Sequence, residues 1–217
     1  MKECFNKAAD KYDSNCHLQL RTGVKLLSLI DVVDTAIDLG CGTGIISDKI
    51  KCNKLYALDV ADKFLEKAKI RLKDKNVTYL EQSFNSLSGL QVDLAFANMS
   101  LQWSDDLKIT LDNIRGNIKP GGVLALSIPL TGTFADIPAS ANEFYSFQQV
   151  IDMLKDWKII HLEQEEIKYI FPSLIDALRS IKSVGADYCK HRSKRVISRD
   201  KSPVELVYNI GYFTVTS

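Results

Sequence analysis

Apolar and polar positions follow two rhythms along this chain. Residues 1–10 and 14–30 carry helical spacing, and in the second stretch Leu18, Gly23, Leu26, Leu27 and Ile30 share one stripe while Gln19, Arg21 and Lys25 fall off it. A β-branched and apolar run at 35–39 ends at glycines, and a helix is predicted over 44–50. A second apolar run at 55–59 ends in an acid. It precedes a predicted helix at 61–72, with Phe64, Leu65, Ala68 and Leu72 on its buried side and Asp62 near its positive end. Further strands are predicted at 77–80, 92–97 and 123–128, with a helix at 105–118 and a hard stop at Lys119-Pro120-Gly121-Gly122.

After Pro129 the rhythm changes. A loop at 131–133 leads to a predicted helix at 146–157, a long strand at 158–171, a helix at 173–183 and a final alternating strand at 204–216. Short apolar strands alternating with helices predict an α/β fold, a doubly wound, mostly parallel seven-stranded sheet. The two long strands at the end predict an antiparallel finish, and residues 1–30 an N-terminal helical lid.

Composition narrows the picture. The 217 residues suit a single domain, in which roughly 70% of the unfolded chain's surface is buried. A formal net charge of +1 gives no global field for nucleic acid or an anionic membrane. The 5 cysteines are an odd number without a CxxC pair, and the 3 histidines are scattered, so neither a disulfide framework nor a metal site is expected. The first residues are charged and lack an apolar core, and no run of 18 apolar residues occurs. The expected location is the cytoplasm, with no membrane partner.

The densest chemistry lies in Asp38-Leu39-Gly40-Cys41-Gly42-Thr43-Gly44. Three glycines at a strand-to-helix turn let backbone N–H groups approach a ligand that a Cβ would repel. The spacing is GxGxG rather than the GxGxxG of dinucleotide sites, and the acid ahead of it repels a pyrophosphate but welcomes an ammonium. Asp59 ends the next strand, where it either accepts both hydroxyls of a ribose or caps the helix beginning near Ala61. Cys41 reads as a small side chain packed beneath the turn rather than a nucleophile, since no partner stands at a recognisable position. His17 reads as a partly exposed helix residue.

These segments resemble motif I and its acidic successor in the class I S-adenosylmethionine-dependent methyltransferases. More narrowly, Phe5-Asn6-Lys7-Ala8-Ala9 with Tyr12-Asp13 and Leu18-Gln19, the run Asn98-Met99-Ser100-Leu101-Gln102-Trp103, and Pro120-Gly121-Gly122 with Gly132-Thr133-Phe134 resemble the malonyl-[acyl-carrier protein] O-methyltransferases. So does Ala177-Leu178-Arg179-Ser180-Ile181-Lys182 followed by Gly185-Ala186.

The resemblance implies one methyltransferase domain over 1–217, with a lid at 1–30, a cofactor-binding core at 31–130 and substrate-side elements at 131–217. It implies S-adenosyl-L-methionine as cofactor, held by Gln19, Asp38, Gly40, Cys41, Gly42, Gly44, Asp59, Val60, Ser83, Phe84 and Asn98. Ser83 stands where such enzymes commonly carry an acid toward the adenine. Tyr12, Gln102 and Trp103 would position the substrate. The implied acceptor is the free carboxylate of a malonyl group on acyl carrier protein or coenzyme A, whose methyl ester primes pimeloyl synthesis for biotin. A carboxylate is already ionised at neutral pH, so no acid–base residue is expected. The basic residues Arg179, Lys182, Arg192, Lys194 and Arg195 are the expected docking surface for an acidic carrier. The competing readings are a methyltransferase of another small acid or a quinone precursor, a nucleic-acid methyltransferase, and a scaffold that binds no cofactor.

Overall fold

The computed structural model describes residues 2–135, 144–186 and 202–217. The strands are β1 (Val33–Leu39), β2 (Cys52–Asp59), β3 (Val77–Glu81), β4 (Val92–Asn98), β5 (Ile118–Pro129), β6 (Lys158–Phe171) and β7 (Val204–Thr216). The helices are α1 (Lys2–Ala8), α2 (His17–Leu27), α3 (Asp62–Arg71), α4 (Leu107–Gly116), α5 (Phe147–Met153) and α6 (Leu174–Ser183).

The strands form one 7-stranded sheet in the order β3-β2-β1-β4-β5-β7-β6. All neighbouring pairs are parallel except β5–β7 and β7–β6. The antiparallel finish is therefore present, and only β7 runs against the rest.

Strand periodicity splits the core into two layers. In β7, Leu206, Tyr208, Ile210 and Tyr212 join the layer beneath α2, the end of α3 and α6, while Phe213 and Val215 join the layer beneath α4 and α5. In β1, Ile37 and Leu39 face the α4/α5 side and Ala36 the other. Asp38, two residues past Ala36, therefore points to the α2/α3 side.

Two expectations are corrected. The helix predicted at 44–50 is a single 3₁₀ turn, Ser47–Lys49. Lys75 Nζ donates to the carbonyls of Ser47 and Ile50, and the Ser47 hydroxyl donates to Asp38, so the backbone and side chain that a longer helix would reorient are already held. The predicted stop at Lys119–Gly122 is part of β5. Val92 pairs with Ile118 and Leu94 with Val123, so the intervening β5 residues are extruded from the ladder, and Lys119 returns to Asp93 at 2.8 Å.

Chain order reverses between β1 and β4, which are neighbours in the sheet. In open α/β sheets the crevice outside the carboxyl ends of such a pair is where ligands sit. Here it is bounded by Gly40 on one side and Asn98 to Ser100 on the other.

Candidate active site

A cavity of about 280 Å³ opens at this switch point. Its walls come from the lid (Phe5, Tyr12, Gln19), the glycine turn (Gly40, Gly42), the end of β2 (Asp59, Val60), the segment after β4 (Met99 to Trp103, Leu101 excepted) and an aromatic group on the far side. Tyr12 stacks edge-on to Phe64 at 4.8 Å, and Phe5 bridges Phe64 and Trp103 at 5.8 and 5.7 Å. The lid thus lies over the turn as a wall of rings.

The glycine turn differs from its sequence reading in one respect. The N–H groups of Gly40 and Cys41 both donate to Leu58 O, that of Gly44 to Cys41 O, and that of Gly42 to Asp59 Oδ2 at 2.9 Å. These four donors are spent inside the protein, so at its glycines the turn offers bare surface rather than N–H groups. At Gly40, φ is +83° and an added Cβ would lie 2.6 Å from Ser100 Cβ; at Gly42, φ is +55° and the nearest atoms are Phe64 and the Tyr12 ring at 3.9 Å. Gly40 lets β1 and the β4 loop touch, and Gly42 forms the cavity surface itself.

Gly40→Ala is therefore expected to cost about 2–5 kcal/mol, the sum of a left-handed backbone penalty and overpacking. Urea denaturation checks this, and the double variant Gly40→Ala/Ser100→Gly should recover only the overpacking share.

One acid lies at the cavity floor and a second is buried beneath the turn. Asp59 Oδ1 accepts from Ala61 N at 2.8 Å while Oδ2 holds Gly42 N. Burial pushes its carboxyl above the ordinary range, and those N–H groups oppose the shift. Asp38 is buried below the turn, accepts a hydrogen bond from Ser47 Oγ at 2.6 Å, and does not line the cavity. Burial first, and the nearby charge of Asp59 last, push its carboxyl up to about 7. Two buried acids so placed make a region that favours a cationic ligand.

Among the other predicted residues, Gln19, Gly40, Val60, Phe84, Asn98, Gln102, Trp103 and Tyr12 line the cavity, whereas Cys41, Gly44 and Ser83 do not. Cys41 packs against Ala57 and Leu65, as its small-side-chain reading has it, and burial raises its thiol. Ser83 caps the turn after β3 by accepting from Asn85 N. The Asn98 amide is occupied by the protein: its Oδ1 accepts from Thr22 and Ser127, and its Nδ2 donates to Gln19 O at 2.9 Å, tying α2 to β4. Arg179 pairs with Asp176 at 3.2 Å, and Lys182 is exposed. Arg192, Lys194 and Arg195 lie outside the described residues.

The sequence reading missed most of the far wall. Phe134, Phe144, Tyr169, Phe171 and Tyr208 line it, with Phe134 edge-on to Tyr208 at 4.9 Å. Tyr169 and Phe171 are two residues apart at the end of β6, a spacing that places both on one side. Met99 and Phe134, the two non-glycine residues with positive φ among those described, both line the cavity, where strain is expected to collect.

Residues 37–126 match a family described as methyltransferase domain. The malonyl-[acyl-carrier protein] O-methyltransferase 2 of Coxiella burnetii is 34% identical over 98% of this chain and 94% of its own length. The chain belongs to this methyltransferase family. The malonyl-[acyl-carrier protein] O-methyltransferase of Hamiltonella defensa is 29% identical, over 94% of this chain and 84% of its own. Among solved structures, the N-methyltransferase NodS from Bradyrhizobium japonicum in complex with S-adenosyl-L-homocysteine shares the fold at a TM-score of 0.62 and 16% identity, covering 91% of this chain and 86% of that one. The enzyme is an S-adenosylmethionine-dependent O-methyltransferase.

The methyltransferase cavity fits that cofactor on its own evidence. A carboxylate offers about four acceptor positions, and the backbone N–H groups of Gly42, Ala61 and Val60 face Asp59, so it retains capacity for a hydroxyl donor at the cavity wall. Ser100 Oγ and Gln102 Oε1 are buried without a hydrogen-bond partner in the protein, and both residues line the cavity. Such unmet groups call for a polar ligand. Gly42 leaves room where any side chain would intrude.

Proposed function

We propose that the enzyme transfers the methyl group of S-adenosylmethionine to the free carboxylate of a malonyl thioester carried by acyl carrier protein, in the cytoplasm, giving the methyl ester that primes pimeloyl assembly for biotin. The observation that carries this reading is the 34% identity to the Coxiella enzyme over nearly the full length of both chains.

When bound, the cofactor supplies an electrophilic methyl carbon, whose bond to sulfur breaks as the acceptor oxygen forms its own, with no proton to move. The chain's part is placement. Asp59 would hold the ribose, and Asp38 beneath the turn would favour the cationic end. Gln102 and Trp103, with Tyr12 across from them, would align the acceptor oxygen. Alignment of this kind is worth roughly 7–11 kcal/mol. Phe134, Tyr169 and Tyr208 make the acceptor side apolar, which strips water from the reacting carboxylate and speeds a reaction in which opposite charges cancel. Ser180, Ile181 and Val184 of the α6 region line the cavity, while Arg179 and Lys182 are exposed on that helix. A carrier docked on those two cations would have its acyl arm near the cavity, and Arg192, Lys194 and Arg195 join the proposed docking set by their charge alone.

The test incubates purified enzyme and cofactor with malonyl-acyl carrier protein, malonyl-coenzyme A and free malonate, and follows product mass. A gain of one methylene unit is expected fastest on the carrier-bound thioester. Methylation of a free acid alone would overturn the carrier reading and favour a small-molecule acceptor.

A further inference from the structure

The lid is fastened to the glycine turn by a side chain to which the preceding reading gives no role. Asp13 Oδ1 accepts from Thr43 Oγ1 at 2.5 Å, and Asp13 Oδ2 accepts from Arg71 Nη2 at 2.6 Å. Arg71 Nη1 closes the triangle on Thr43 O at 2.8 Å and Thr43 Oγ1 at 3.0 Å. Three separate pieces of chain meet here: the loop between α1 and α2, the turn at the cofactor end of β1, and the last turn of α3. Thr43 itself is fully buried between Gly42 and Gly44.

We propose that Asp13 is a positioning residue that latches Tyr12 across the glycine turn, and that this latch sets how fast the cofactor leaves. Tyr12 immediately precedes Asp13, and its ring lies 3.9 Å from where a Gly42 side chain would begin. Moving that ring off the turn displaces Asp13 from Thr43 and Arg71. Among the ion pairs made by the segment that precedes α2, the others are more exposed. Asp10, which meets Lys67, is 93% exposed, and the Lys2–Asp62 pair is 47% and 43% exposed, so water and salt screen both. Asp13 and Arg71 are 37% and 30% exposed, meet through one hydrogen bond, and both bond the buried Thr43 hydroxyl as well. Burial works against the Asp13 anion, but the Arg71 and Thr43 hydrogen bonds outweigh it and hold the carboxyl below its ordinary range. The latch is thus ionised and closed at neutral pH. This inference rests on cofactor binding alone and is independent of the acceptor's identity.

Asp13→Asn keeps the shape but removes the anion, leaving the Arg71 guanidinium a neutral amide oxygen in place of a carboxylate. Losing a charge-assisted hydrogen bond of this kind is expected to raise the dissociation rate of S-adenosylhomocysteine about tenfold, with the association rate nearly unchanged. Surface plasmon resonance on the full chain reads both rates. Thr43→Val should act in the same direction, and the double variant should add little to either single one, because all three groups form one unit. Asp10→Asn is the exposed control and should match the wild type. If Asp13→Asn does not fold, Thr43→Val carries the same measurement. A wild-type dissociation rate in Asp13→Asn, or in Thr43→Val where that variant stands in, overturns the latch even if the unfolding temperature has dropped.

Discussion

Asp59→Ala is expected to weaken S-adenosylhomocysteine binding by a hundredfold or more. The carboxylate bridges Gly42 N and Ala61 N at 2.9 and 2.8 Å, and so fixes both the cavity floor and the start of α3. Hydrogen bonds to a charged acceptor are worth about 1.5–3 kcal/mol each, and about 1.4 kcal/mol is a factor of ten in affinity. The alanine variant also leaves two buried donors without partners. Asp59→Asn should fall between, because its amide presents an NH₂ to one of the same two N–H groups. Isothermal titration calorimetry decides. If Asp59→Ala binds within a few-fold of wild type, Asp59 is only the cap of α3, and the ribose assignment fails.

The second large effect is a dependence on pH. The Asp38 carboxyl stands at about 7 in the folded protein against an ordinary value of 3.8. Between those values the folded chain holds a proton that the unfolded chain has released, so stability must fall as pH rises from about 4 to 7 and level off above. Asp38→Asn keeps an acceptor for Ser47 Oγ and removes this titration. In the ligand-free protein it should be about 2–4 kcal/mol more stable than wild type at pH 8, with little difference at pH 4. A residual slope from Asp59, raised by burial in the same sense, should remain. Cofactor binding should show the reverse: a cationic ligand favours the ionised acid, so wild-type affinity rises through pH 7 and the variant binds more weakly without that rise. Urea denaturation at the two pH values measures the first effect. Equal stabilities at pH 8 would show that Asp38 does not carry its proton into the neutral range.

The sheet was legible because burial and strand period act locally. The ends of β6 and β7 fall where the alternation of apolar residues places them, and the switch point follows from strand order. The 3₁₀ turn at Ser47 was not legible, since it depends on Lys75 reaching back to carbonyls far from it in sequence. The cavity was legible on the cofactor side, where DLGCGTG and Asp59 are contiguous with strand ends. The far wall was not: Phe134, Tyr169 and Tyr208 come from three parts of the chain that only the antiparallel finish brings together. Asp13 was quoted as part of a motif yet given no task, because its partners Thr43 and Arg71 lie 30 and 58 positions away.

β7 lies between β5 and β6, although β6 precedes it along the chain. Until β7 is in place, β6 has no neighbour in this sheet and β5 presents an open row of backbone donors and acceptors. β7 has to pair on both flanks before the sheet is complete, so sheet completion waits on long-range contacts with β5. That ordering makes the two unzipped borders the adhesive surfaces of any half-folded chain. Its most vulnerable moment is then set by this topology, at the strands that also carry Tyr169, Phe171 and Tyr208 to the cavity wall.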